Sequence, residues 1–418
     1  MIRKLLENGA IYTPIDAGRP PAGAAMQQLH HLPQGAMLIE NGTIVDIGER
    51  DQILARADRL AIDEIIDAGG ACVIPGFVDP HTHLCFVAPR EEEFSQRLAG
   101  AAYLDILAQG GGILNSVTAV RACPEEELYR LTRQRALTAL ALGTTTVEIK
   151  SGYGLDTESE LKMLRVIARV GRTTPLDVVA TFLGAHAVPP EYRDQPDAYI
   201  ELLTREMLPL VAKENLARQC DIFCEKGVFS IAQGRRLLAA AKALGFAVKI
   251  HADEVNDLGG AGLAAELSAL SADHLLAAGD PGINALAAQG VVATLLPATA
   301  YSLRKPYARA REMIDRGVAV ALASDCNPGS SYTESMPFVI GLAVLQMGLS
   351  PAEALTAATI NGAYALGLAD RVGSLTPGKQ ADFLLLDGKT PAILAFHAGV
   401  APVAAVYKRG EKVSSISR

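Results

Sequence analysis

Two of the chain's histidines stand one residue apart. His81-Thr82-His83 closes the run Val73-Ile74-Pro75-Gly76-Phe77-Val78-Asp79-Pro80. Side chains alternate along an extended chain, so two histidines separated by one residue face the same side and can meet one metal ion. A bare pair of this kind says little; its place after an apolar strand is what gives it weight. His251 ends Ala247-Val248-Lys249-Ile250, with Glu254 three residues further on. His274 ends Leu270-Ser271-Ala272-Asp273, and Asp325 ends the run from Val318 to Ser324. Any of these alone reads as a capping or hydrogen-bonded residue. Together they offer neutral nitrogens and a carboxylate, a donor set that suits zinc or iron(II) with one position open for water. The spacing does not choose between those metals.

Short aliphatic or β-branched runs carry these residues: Phe77–Pro80, Thr145–Ile149, Asp177–Thr181, Cys220–Phe223, Ala247–Ile250, Ala269–Ala272, Val291–Leu296 and Val318–Ala323. Helical patterns separate most of them, as at Glu125–Leu142, Glu158–Val170, Arg235–Leu244 and Ala308–Arg316. About eight βα units over roughly 250 residues is the arithmetic of an α/β fold of the (β/α)8 TIM-barrel type, whose chemistry lies where strands end. The first and eighth strands of a closed barrel are neighbours, which brings His81, His83 and Asp325 together. A doubly wound sheet is the competing arrangement. It often carries a Gly-rich fingerprint after its first strand, and neither Gly152-x-Gly154 nor Gly110-Gly111-Gly112 has that form, so both are expected as loops. The first seventy residues read as β structure. Ala36–Glu40 and Thr43–Ile47 flank Asn41-Gly42, a strong type I′ hairpin signal. Asp382–Leu386 and Val403–Lys408 answer them at the other end. The expected organisation is a small β-sandwich domain composed of residues 1–72 and 372–418, and a barrel over 73–371.

Half of the 418 residues are hydrophobic, enough for a large aliphatic core and too many for a disordered chain. The net charge of −8 leaves no basic footprint for nucleic acid or an anionic membrane. One well-placed arginine could still hold a small anion. No window approaches the roughly 18 apolar residues of a spanning helix, and no signal-type segment opens the chain. The six cysteines, Cys72, Cys85, Cys123, Cys220, Cys224 and Cys326, form no C-x-x-C pair and read as buried thiols of a cytoplasmic protein.

The segment Pro75–His83, with His251, His274 and Ser324-Asp325, resembles the amidohydrolase superfamily. More narrowly the chain is similar to the imidazolonepropionase family over nearly its whole length. The likeness rests on Gln96-Arg97-Leu98-Ala99-Gly100 with Gly110-Gly111-Gly112-Ile113, and on Glu148-Ile149-Lys150-Ser151-Gly152-Tyr153-Gly154-Leu155. It continues through Thr181–Pro189, His251-Ala252-Asp253-Glu254, Ser271–Leu275 and Ser324-Asp325-Cys326-Asn327-Pro328-Gly329-Ser330-Ser331. One departure is Phe86-Val87-Ala88-Pro89-Arg90, where the family tends to have small residues before the arginine; it bears on the reach of Arg90.

The resemblance implies hydrolytic opening of the lactam ring of 4-imidazolone-5-propanoate to N-formimino-L-glutamate, a step of histidine degradation. It implies one zinc or iron ion on His81, His83, His251 and Asp325. Asp325 would also move the water's proton, with His274 and Glu254 as the other catalytic groups. Arg90 would anchor the propanoate, while Tyr153, His186 and Glu254 bind the ring and Asn327, Gly329 and Ser330 surround the tail. Members with two metals bridge them with a lysine after strand four; here that strand ends Cys224-Glu225-Lys226 without a clear bridging lysine, and Lys150 after strand two reads as structural. The implied partners are this small anionic substrate and a second copy of the chain in a homodimer. A guanine- or cytosine-type deaminase on the same barrel is the alternative, and a non-catalytic scaffold a remote one.

Overall fold

The structure, a computed structural model, describes residues 1–100 and 111–415. Gly110 and the tail end 416–418 of the expected composite domain lie outside the described residues. The strands are β1 (Arg3–Pro14), β2 (Leu29–Glu40), β3 (Thr43–Glu49), β4 (Glu64–Asp67), β5 (Cys72–Pro75) and β6 (Phe77–Asp79). They continue as β7 (Thr144–Lys150), β8 (Asp177–Ala185), β9 (Gln219–Cys224), β10 (Ala247–Ala252), β11 (Ser271–His274), β12 (Val292–Leu295) and β13 (Val320–Leu322). The last are β14 (Phe383–Leu386), β15 (Val403–Lys408) and β16 (Glu411–Ser415).

β6 to β13 form one sheet in sequence order, every neighbouring pair parallel. Helices join most of these strands, and β7 is buried along its whole length, as a strand covered on both faces must be. The two ends of the order meet at a seam. The Asp79 carboxylate accepts from the Ser324 amide at 3.1 Å and its hydroxyl at 2.5 Å. Asp325 N–H donates to the His81 carbonyl at 3.0 Å, and His83 N–H to that of Cys326 at 2.9 Å. These bonds tie the loop bearing the paired histidines to the loop bearing Asp325.

The second sheet has the order β16-β15-β14-β5-β1-β2-β3, with β4 also on β1. Both ends of the chain build it: Phe383 to Leu386 lie antiparallel to Pro75 to Cys72. The hairpin at Asn41-Gly42 has the positive φ at both residues, 48° and 82°, that a type I′ turn needs. The first seventy residues are not all β. A helix over Arg50–Ala57 interrupts them, burying Ile53 and Ala57, one turn apart, on the face against this sheet. Among the barrel strands, β8 runs four residues beyond Thr181 and β10 includes His251. β11 starts at Ser271 rather than Ala269, because Ser268 at φ 49° is still turning out of the preceding helix. Among the described residues, no helix is long and apolar enough to cross a membrane.

Candidate active site

His81, His83, His251, His274 and Asp325 converge at the C-terminal ends of the barrel strands, all buried. One nitrogen each of His81, His83 and His251 forms a tight trio, and His81, His274 and Asp325 form a second that overlaps it. The Nε2 atoms of His83 and His251 are 3.4 Å apart, and Asp325 Oδ1 lies 3.5 Å from Nε2 of both His81 and His83. Two ligands about 2.0–2.1 Å from one tetrahedral centre lie ~3.4 Å apart, so the donor spacing fits a metal ion. The buried His81 Nε2 has no hydrogen-bond partner, which fits the same purpose. His274 and Asp325 both hold left-handed backbone, φ 78° and 51°, a conformation costly for residues with a Cβ and often kept at functional sites.

Charged groups below this cluster set its tautomers. Asp273 Oδ2 lies 2.6 Å from His81 Nδ1, which places the proton on that nitrogen and leaves Nε2 free. Asp221 Oδ2 faces His251 Nδ1 at 2.9 Å, close but poorly aligned for a hydrogen bond. Lys150 Nζ stands 2.8 Å from both Glu148 and Asp221, and Lys249 Nζ 3.2 Å from Glu148. Burial holds His81 and His83 well below the ordinary imidazole value, so both rings are neutral. Burial also pushes His251 down, but Asp221 more than offsets it and holds His251 up. Burial lowers His274 to about 4 and raises Glu254 to about 7.

The ion pairs of Lys150 fit the structural role expected of it. Asp221, Glu148, Lys249 and Asp273 carry no role in the expectations drawn from the sequence. Their signal was available: a charged residue inside an otherwise apolar parallel strand must find a partner in the core. Thr299, whose hydroxyl donates to Asp325 Oδ2 at 2.6 Å, lies in a helix that no motif marked.

Around the cluster stand the residues expected to meet a substrate. His186 stacks on His83 with ring centres 4.8 Å apart, and Tyr153 lies 5.3 Å from His186. His186 Nδ1 donates to the Gly152 carbonyl at 3.1 Å, and burial lowers this histidine to about 3. Glu254 Oε1 is 3.8 Å from His274 Nδ1. Glu225, just after β9, accepts from the Val255 and Asn256 amides and so holds the loop carrying Glu254. Lys226 beside it is exposed.

Arg90 follows Pro89 and is mostly buried rather than on the surface. Its amide donates to the Pro328 carbonyl at 2.7 Å, its Nη1 to Ser116 Oγ at 3.0 Å, and its Nε lies 3.2 Å from Glu93. A Cβ on Gly329 would overlap its guanidinium, so only glycine lets loop and arginine come this close. Asn327 is taken up by its own loop: Oδ1 accepts from the Gly329 and Ser330 amides at 2.8 Å, and Nδ2 donates to Asp325 O and Ser330 Oγ. It shapes the loop, and its side chain is not left free as a donor around the tail.

The amidohydrolase family model matches residues 72–413. An imidazolonepropionase from Desulfotalea psychrophila is 64% identical over 99% of this chain and 100% of its own length. The chain belongs to the amidohydrolase family, in its imidazolonepropionase branch. A second imidazolonepropionase, from Syntrophobacter fumaroxidans, is 61% identical over 98% of this chain and 96% of its own. The architecture is shared more widely in the family. A zinc-bound adenosine deaminase from Xanthomonas campestris matches with TM-score 0.71 over 99% of this chain and 93% of its own, at 20% identity. At that identity the likeness speaks for the barrel and its β domain alone.

Proposed function

We propose that the chain hydrolyses the cyclic amide C–N bond of 4-imidazolone-5-propanoate to N-formimino-L-glutamate. The observation that carries this is the 64% identity to an imidazolonepropionase along the whole chain. The division into residues 1–72 with 372–418 and a barrel over 73–371 belongs to the same reading.

One divalent ion, zinc or iron(II), would be held by His81, His83, His251 and Asp325 and would supply Lewis acidity, bringing a water's pKa toward neutrality and polarising the ring carbonyl. A single ion is favoured because Lys226 is exposed and the buried Lys150 is already paired with Glu148 and Asp221. Asp325 takes the water's proton on its carboxylate and passes it to the ring nitrogen as the C–N bond breaks. Thr299 holds that carboxylate in place. His274, neutral at pH 7, donates a hydrogen bond to the oxygen that gains charge. Glu254 accepts from ring N–H, and Tyr153 and His186 flank the ring. Arg90 presents a planar fork to the propanoate, next to Gly329 and the Ser330 hydroxyl. Beyond its substrate the enzyme's partner is a second copy of itself, in a homodimer. All six cysteines are buried and unpaired, which suits the reducing cytoplasm.

Metal-loaded protein incubated with 4-imidazolone-5-propanoate should form N-formimino-L-glutamate. No such product, with ammonia released from guanine or cytosine, would transfer the chain to the deaminases of the same fold.

A further inference from the structure

Glu160 is a fully buried carboxylate that the reaction above does not use. It sits in the first turn and a half of the helix Thr157–Thr173, whose N-terminus is already capped: Asp156 accepts from the Ser159 amide at 2.8 Å. Glu160 therefore is not needed as a cap. Its side chain reaches back out of the helix to the loop after β7. Oε1 accepts from the amides of Gly152 at 3.1 Å, Gly154 at 2.8 Å and Leu155 at 2.9 Å, and Oε2 from Gly152 at 3.1 Å. The Ser151 hydroxyl bonds it as well. These partners are all neutral. A buried charge is costly unless fully hydrogen-bonded, and a run of backbone N–H groups is a concavity that can satisfy one.

What the carboxylate holds is specific. The loop has two residues in left-handed conformation, Gly152 at φ 105° and Leu155 at φ 55°. A Cβ on Gly152 would fall 2.8 Å from the Leu183 carbonyl oxygen and 3.0 Å from His186 Nδ1, and one on Gly154 would fall 2.5 Å from the Glu160 amide. Between the two glycines stands Tyr153, and the Gly152 carbonyl accepts from His186 Nδ1. From outside, Arg121 donates to the Gly154 carbonyl and Tyr199 to that of Leu155. Glu160 gathers the N–H groups on the inner side, so one side chain sets both the tyrosine and the histidine that flank the ring.

We propose that Glu160 is a positioning residue for substrate recognition: through the Gly152–Leu155 amides it fixes Tyr153 and the His186 tautomer. This rests on the functional reading above. The test compares Glu160→Ala and Glu160→Gln with the unaltered chain in KM, kcat, metal content and the histidine ring N–H resonances of nitrogen-labelled protein. Removing the acceptor leaves several buried N–H groups unpaired, so Glu160→Ala should raise KM about tenfold or more. Its kcat should stay within about threefold, metal content should be unchanged, and the His186 Nδ1–H signal should shift or vanish. Glu160→Gln keeps the size and one carbonyl oxygen but sets an N–H against the Gly152 amide; a smaller rise, roughly threefold, is expected, and this variant decides the matter if the alanine form does not fold. An unchanged KM and an unmoved His186 signal would overturn the proposal, as would a fall of kcat and metal content together with KM. If the unaltered chain does not turn over 4-imidazolone-5-propanoate, the functional reading fails, while the His186 resonance still reports on Glu160.

Discussion

His81 and His251 each turn Nδ1 toward a buried aspartate and Nε2 toward the shared centre, so removing one ring removes a prepared donor, not merely a contact. His251→Ala should lose bound metal and turnover together, as read by elemental analysis and by assay of the same preparation; full metal content in that variant would remove His251 from the ligand set. Arg90→Ala should act differently, keeping metal but weakening substrate binding by about 2–5 kcal/mol, because the anionic tail would be left without its fork. Calorimetric binding to an unreactive analogue with the same tail checks this, and unchanged affinity would sink the anchor. The converging histidines and Asp325 were legible as candidates because each follows an apolar run, where a polar residue has no business in the core. Asp221 and Asp273 act one layer deeper. Their partners come from other strands, His251 on the neighbouring β10 for the first and His81, after the non-adjacent β6, for the second, so no local spacing could announce the pairing.

The loop after β6 carries the paired histidines and then runs on to Arg90, and one helix holds it. Arg135, in the helix Glu125–Ala141, places its guanidinium 3.5 Å over the Phe86 ring. It also donates to the carbonyls of Leu84, Phe86 and Val87 at 2.7–3.1 Å. Lysine has the charge but not the fork, and reaches fewer of these acceptors. Arg135→Lys should therefore cost about 1.5–3 kcal/mol, seen as a lower urea midpoint at unchanged slope. A midpoint equal to that of the unaltered chain would show that the loop holds itself. The helix was visible in the sequence, but its buried face was not, since Arg135 reads as one more solvated charge among Arg130 and Arg133. The short helix Arg50–Ala57 was missed for the opposite reason: only Ile53 and Ala57 are fully buried, with Leu54 partly so, too few to stand out within a β-rich stretch.

At the scale of the whole chain, the two ends form one sheet that packs beside the barrel. Its central strand β1 pairs with β2, β4 and β5, contacts that turn signals could not reveal, while the tail runs and the Asn41-Gly42 hairpin could be read directly. Asp16, just past β1, bonds Lys379 at 2.6 Å, Tyr364 at 2.6 Å and the Gly18 amide at 3.0 Å. Burial alone would push its carboxyl up; Lys379, Tyr364 and Gly18 outweigh this and hold it below the ordinary value. A carboxyl depressed on folding stabilises above its unfolded pKa, about 3.9, and loses that contribution as pH falls through the folded value. Asp16→Asn should thus lower the melting temperature at neutral pH, with the gap to the unaltered chain closing below about pH 4; a gap that persists undiminished there would exclude the ion pair as its cause. The net charge of −8 would be no obstacle to an anionic substrate in the proposed reaction, because Arg90 and a bound metal would set the local field near the site rather than the sum over the surface. The most direct test of the proposed hydrolysis follows the oxygen of water and the ring nitrogens through one turnover of 4-imidazolone-5-propanoate in water carrying heavy oxygen. Ring opening predicts that the heavy oxygen enters the carboxylate formed from the ring carbonyl and that both ring nitrogens remain in the product. Loss of a ring nitrogen as ammonia, or a product with its ring intact, would contradict it.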